Sequence, residues 1–153
     1  MLKRFVIHEH HATRLHWDLR LEMEGVLKSW AVPKGVSMNP ADKRLAVHVP
    51  DHSLEYGKWE GVIPEGSYGA GRVAIWDKGA YECDDPTAQL KKGKLVFTMY
   101  GEKLKGEFHM FKMANEEKNW LIVKADDEHA DEDWEIKTVL KKMKRRDATK
   151  KLK

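Results

Sequence analysis

The chain has a single cysteine, Cys83, among 153 residues, which excludes an intrachain disulfide and any cysteine-built zinc site. That thiol reads as an inert, partly buried side chain in a reducing compartment. No apolar run approaches the ~20 residues of a membrane span, and no signal-peptide pattern opens the chain. The expectation is therefore a soluble, cytoplasmic protein. Internal repeats and interdomain linkers are also missing, and the length fits one domain with its own hydrophobic core. Neither sign of charge dominates, with 28 Lys and Arg against 25 Asp and Glu, but the balance is uneven. Residues 135–153 hold nine basic side chains against two acidic ones, +7, and residues 1–134 hold 19 against 23, −4. We accordingly divide the chain into a β domain over 1–134 and a basic helix or tail over 135–153. Such a tail is either a solvated, frayed helix or an arm that tracks phosphates, and charge alone does not choose between them.

What the chain has in plenty is histidine near its start. Four of the eight histidines, His8, His10, His11 and His16, fall in the first sixteen residues. They run into a segment, 15–24, in which apolar and polar residues alternate strictly, the signature of a half-buried strand. Leu15, Trp17, Leu19, Leu21 and Met23 take one face, and His16, Asp18, Arg20, Glu22 and Glu24 the other. A polar strand face is ordinarily just solvated. Here, however, alternate residues lie roughly 6.5–7 Å apart, so the His16 imidazole and the Asp18 carboxylate can converge on one cation. A third ligand from His8, His10 or His11 would complete a two-histidine, one-carboxylate site. Arg20, next on that face, points to an anionic ligand of the metal.

Strand character recurs at 5–8, 26–32, 45–49, 73–76, 95–100, 107–113 and 120–124, separated by Gly, Pro and Asn turns. Many short strands so spaced predict a mainly β protein, an antiparallel barrel with minor helices. Asp85-Pro86-Thr87 caps a short helix through Leu90, and 131–144 reads as a C-terminal helix. Lys34 stands between Pro33 and Gly35 at a strand end, where its ammonium can be aimed or simply solvated. In 44–52, Arg44, Ala46, His48, Pro50 and His52 share a parity if the strand stays regular, with Leu45, Val47 and Val49 predicted on the core side, while Pro50 and Asp51 are able to bend its end. The glycine-rich stretch 61–71 lacks the Gly-Lys-Ser/Thr ending of a P-loop and the spacing of a dinucleotide fingerprint, so its glycines are assigned to tight bends. His8-Glu9 does not open a zincin helix, because residue 12 is alanine. The six tryptophans are widely scattered and read as core rather than as a stacking stripe.

Taken in order, these segments resemble a known family. They are Phe5-Val6-Ile7 with His10, Leu15-His16-Trp17-Asp18-Leu19-Arg20-Leu21-Glu22, Leu27 to Gly35, Arg44 to Val47, Asp51-His52 with Tyr56, Glu60 to Gly71, and Lys118 to Ile122. Together they are similar to the 3′-phosphoesterase domain of bacterial DNA ligase D and its stand-alone relatives, over about residues 5–125. The resemblance implies an antiparallel β-barrel that heals 3′ ends for non-homologous end joining. It implies removal of a 3′-terminal ribonucleoside and then of the 3′-phosphate, with a divalent metal, typically manganese. By motif position it implies His10, His16 and Asp18 as metal ligands, with His52, Arg20, Lys34, Arg44 and Tyr56 around the phosphate. His8 stands where relatives often have glutamine. Relatives usually carry an N-terminal extension that contributes to activity, and this sequence starts directly at the core. No Lys-x-Asp-Gly ligase motif occurs, so a DNA ligase and a polymerase are expected to act in trans on DNA or RNA/DNA primer–template ends.

Two other readings are compatible with the residues. His16-x-Asp18 also begins the facial triad of iron(II) oxygenases, which would need a later histidine such as His109. Alternatively, the protein is a non-catalytic module that binds DNA ends through its basic tail.

Overall fold

The alternating segments pair into one continuous antiparallel ladder in a computed structural model that describes residues 2–140. Nine strands form: β1 (Lys3–His11), β2 (Leu15–Met23), β3 (Val26–Val32), β4 (Arg44–His52), β5 (Gly61–Ile63), β6 (Gly71–Glu82), β7 (Lys94–Tyr100), β8 (Lys105–Lys112) and β9 (Asn119–Lys124). The order is β1-β2-β3-β4-β9-β8-β7-β6-β5, and β1 also pairs with β6. Twelve-residue β6 makes closure possible. One of its edges carries β1 along nearly its whole length, while the other carries β5 at its start and β7 at its end. Eight strands therefore close into the predicted barrel, which leaves no open sheet edge around the ring, and β5 is an appended flap.

Inside the ring lie Phe5, Ile7, Trp17, Leu19, Leu21, Trp30, Val32, Phe97, Phe108 and Ile122, a contiguous apolar core. Four of the six tryptophans, Trp17, Trp30, Trp76 and Trp120, are buried there as expected. The helix α1 (Pro86–Lys92) starts at Asp85, whose carboxylate accepts the Ala88 N–H, and stops at Gly93 in the left-handed region. A short 3₁₀ helix, Leu54–Lys58, follows β4.

Three features depart from the sequence reading. On β4, Ala46 is fully buried in the core and Leu45 is 40 % exposed, so the predicted core face is reversed over this part of the strand. Further along, Ser29 faces Val49 but Leu27 faces His52, which places one extra residue in β4. That bulge puts His52 on the outer face with Val49, while Arg44 keeps the inward parity of Ala46. The strand face shared by Arg44 and His52 is thereby broken. Thirdly, 131–140 is a turn followed by irregular chain, not a helix. Its polar backbone groups are engaged elsewhere: Val139 and Leu140 N–H donate to Glu9, and the Lys137 carbonyl accepts from Trp76 Nε1. Those tertiary bonds replace a helical ladder, and Trp134 and Ile136 pack on the core. The remainder of the predicted tail, 141–153, lies outside the described residues. Among the described residues no helix is long and apolar enough to cross a membrane.

Candidate metal centre and cleft

The β1–β2 register builds the centre. His10 pairs directly with His16, and His8 with Asp18, so the outward side chains of 8, 10, 16 and 18 form one patch on the barrel wall. His11 pairs with Leu15 and faces the other way; its Nε2 donates to the fully buried Glu9 at 2.8 Å. Register thus removes His11, and His8 has both ring nitrogens committed, to Arg20 Nε and to the Trp59 carbonyl, which leaves His10 of the three candidate histidines. His10, His16 and Asp18 each offer one ligand atom, all within 4.8 Å of one another. His10 Nδ1 lies 3.5 Å from Asp18 Oδ2, and His16 Nε2 lies 3.3 Å from Asp18 Oδ1.

The other nitrogen of each imidazole meets a backbone carbonyl. His10 Nε2 is 2.6 Å from the Gly69 oxygen, and His16 Nδ1 is 3.1 Å from the Arg14 oxygen. Carbonyls only accept, so these nitrogens carry hydrogens; in the neutral imidazoles the lone pairs at His10 Nδ1 and His16 Nε2 face Asp18, and in the protonated imidazoles the same atoms donate to its carboxylate. That arrangement of oriented imidazoles is the outer-shell support typical of a metal-binding histidine. The donor set, two nitrogens and a carboxylate, fits a divalent transition metal. Gly69 has φ +75°, and a Cβ there would lie 3.3 Å from His10 Cε1, so glycine lets the backbone come this close.

Electrostatics agree with the geometry. Burial opposes ionisation of Asp18, but hydrogen bonds from His10 and His16 and the Arg20 charge outweigh it and hold the carboxyl well below the usual range. Burial likewise disfavours the charged form of His16, yet its hydrogen bond to Asp18 and that carboxylate's charge raise its pKa. Arg20, only 3 % exposed, donates Nε to His8 Nδ1 at 2.9 Å, Nη1 to Ser29 Oγ at 2.9 Å and Nη2 to Asp18 Oδ2 at 3.3 Å. Three of its five N–H groups are thus fixed. His8 must accept at Nδ1, so its Nε2 donates to the Trp59 carbonyl at 3.1 Å. Burial, then the Arg20 charge, lowers the His8 pKa to about 4, which keeps this tautomer neutral.

The bulge brings His52 to the same face, stacked on Tyr56 with ring centroids 4.3 Å apart. Tyr56 in turn stacks on Trp59 and lies under the Arg20 guanidinium, 4.9 Å from its carbon. Burial, then Arg20, lowers the His52 pKa; burial raises that of Tyr56. A cleft of about 370 Å³ opens over this floor, walled by Val49 to His52 on one side and by Ile63, Tyr68 and Gly69 on the other.

The structure thus brings together His10, His16, Asp18, Arg20, His52 and Tyr56. Lys34 and Arg44 are not among the residues that line the cleft. Lys34 is exposed after β3, and Arg44 Nη2 pairs with Asp42 at 3.3 Å. His109 pairs with Glu107 on β8 and does not complete a triad with His16 and Asp18, which removes the ligand the oxygenase reading required. Sequence reasoning passed over the Gly69 carbonyl, Ser29 and Tyr68. The first is a backbone atom with no side-chain signal, and Ser29 is identified only by its register opposite Arg20. Tyr68, 91 % exposed at the rim, sat inside a stretch read as tight bends.

Comparison with known proteins gives a consistent answer. Residues 8–112 match the family described as the DNA Ligase D 3′-phosphoesterase domain. The chain is 51 % identical over 132 residues to the multifunctional non-homologous end joining protein LigD of Pseudomonas aeruginosa, covering 84 % of this chain and 16 % of that one. It is 45 % identical over 134 residues to the protein of the same name from Mycolicibacterium smegmatis, covering 82 % and 17 %. With LigD of Mycobacterium tuberculosis it shares 44 % over 117 residues, 76 % of this chain and 15 % of that protein. It therefore spans about a sixth of the length of these relatives. The match includes the strands that carry His10, His16, Asp18, Arg20 and His52, and the chain belongs to the DNA ligase D 3′-phosphoesterase domain family.

Proposed function

We propose that this protein is a metal-dependent 3′-phosphoesterase that heals DNA ends for non-homologous end joining. It removes a 3′-terminal ribonucleoside and then hydrolyses the remaining 3′-phosphate to a 3′-hydroxyl. The observation that carries this reading is the convergence of His10, His16 and Asp18 beside a buried, oriented arginine in one cleft. The end-joining names of the relatives supply its biological direction.

His10, His16 and Asp18 would hold the metal, for which we propose manganese; the ligand set also suits zinc or iron. When bound, such an ion supplies Lewis-acid stabilisation of a phosphate oxygen. The protein's own groups do the rest. Arg20 is held from three sides and has two N–H groups left to donate to non-bridging oxygens. Burial and Arg20 lower the His52 pKa and so disfavour its charged form, and a phosphate dianion in the cleft favours that form. We assign it proton donation to the leaving oxygen. Tyr56 supports both Arg20 and His52 from beneath. Lys34 and Arg44 do not line the cleft, and no direct contact with phosphate is assigned to them. A DNA ligase and a polymerase would use the resulting hydroxyl.

The test is a labelled primer–template ending in one ribonucleotide, incubated with manganese. Wild-type protein is expected to shorten it first to a phosphate end and then to a hydroxyl end, to stop on chelation, and to resume when manganese is restored. His16→Ala and Asp18→Ala should each lose at least about 100-fold in rate with an unchanged circular dichroism spectrum. Wild-type turnover by either variant overturns the site. Tight binding of an unaltered primer by the wild type would instead favour the non-catalytic module.

A further inference from the structure

A second concavity, of about 480 Å³, lies across the 3₁₀ helix from the cleft and has no part in the chemistry above. Its floor is apolar, built from Val6 of β1, Leu27 of β3 and Leu54 of the 3₁₀ helix, and every titratable side chain lining it is a cation: Arg4, Lys58 and Lys78. Arg4 shares Glu22 at 4.0 Å, whereas Lys58 and Lys78 are exposed and make no ion pair among the described residues. A cavity beside β7 and β8 differs sharply, since Glu107, Asp127 and Glu128 line it.

Position supplies the link to the cleft. Val6, His8 and His10 follow one another on the outer face of β1, so the groove at Val6 lies about 13 Å from the metal centre at His10. That distance corresponds to about four nucleotides of a B-form strand at ~3.4 Å each. The 3₁₀ helix is the shared wall, turning Tyr56 into the cleft and Leu54, Gly57 and Lys58 into the groove.

We propose that this groove seats the phosphodiester backbone of the primer strand a few nucleotides upstream of the 3′ end being processed, with Lys58 and Lys78 neutralising its phosphates. The proposal rests on the phosphoesterase reading for the polarity of the strand, but its binding test does not depend on turnover. Fluorescence anisotropy with a labelled primer–template, in calcium or without metal, compares wild type, Lys58→Glu/Lys78→Glu and Lys58→Arg/Lys78→Arg. The charge-reversed protein should bind at least about tenfold more weakly, and the slope of log affinity against log salt should fall by about 2. The arginine variant should match wild type in both. Unchanged affinity and slope in the charge-reversed protein, with its melting temperature retained, overturn the groove. A wild type that binds through Lys58 and Lys78 but does not hydrolyse the primer would refute the catalytic reading and leave the groove standing.

Discussion

At the scale of single residues, the site depends on which nitrogen of each histidine carries its proton. His10, with its hydrogen on Nε2, and His16, with its hydrogen on Nδ1, are set by carbonyls so that their other nitrogens face Asp18, and His8, an Nε2–H tautomer like His10, accepts from Arg20 and donates to Trp59. His8 is therefore a positioning residue for Arg20. Glutamine can make the same two bonds, since an amide likewise offers one acceptor and one donor. His8→Ala should strand Arg20 Nε and the Trp59 carbonyl in a buried site, costing about 1–3 kcal/mol, and should slow end processing as the guanidinium loses its orientation. His8→Gln should restore both melting temperature and rate. Equal behaviour of the two variants would show that the hydrogen bonds of residue 8 do not position Arg20.

At the scale of elements, legibility followed the length and regularity of the strands. The polar face of β2 was readable because ten residues alternate without interruption, and register with β1 then made His10 its partner. Its burial was not readable, because the 3₁₀ helix and residues 64–70 that cover it are remote in sequence. The bulge in β4 was readable in part: it falls at Pro50 and Asp51, where a residue without an N–H interrupts the ladder, but its one-residue size is set by the pairing with β3. Three-residue β5 is too short and glycine-rich to carry a period. The loop after β5 is also where Tyr68 stands, exposed at the cleft mouth beside the carbonyl that holds His10. Such a ring is suited to stacking on a terminal base, a contact worth about 1–3 kcal/mol. Tyr68→Ala should raise KM for the primer about tenfold with little change in kcat, and Tyr68→Trp should preserve both. An unchanged KM in the alanine variant would remove the stacking role.

At the scale of the whole molecule, the barrel is closed laterally by β1 on β6 and at one end by residues 134–140. Glu9 joins the two closures. It lies on β1, is fully buried, and its carboxylate accepts from Val139 and Leu140 N–H at 2.7 and 2.9 Å and from His11 at 2.8 Å. A buried carboxylate with three donors is stabilising only while all three are present, because each lost partner leaves a desolvated group behind. Since β1 also carries His10, loosening this end should disturb the candidate metal centre without touching any of the three side chains proposed to hold the ion. Glu9→Ala orphans three donors and should cost about 3 kcal/mol or more, lowering the melting temperature by roughly 6–12 °C for a protein of this size. Glu9→Gln keeps one acceptor oxygen and should fall between the two. Hydrogen exchange at the Val139 and Leu140 amides should accelerate in the same order. If those amides stay protected in Glu9→Ala, the C-terminal segment is held by Trp134 and Ile136 packing alone, and Glu9 has no part in closing the barrel.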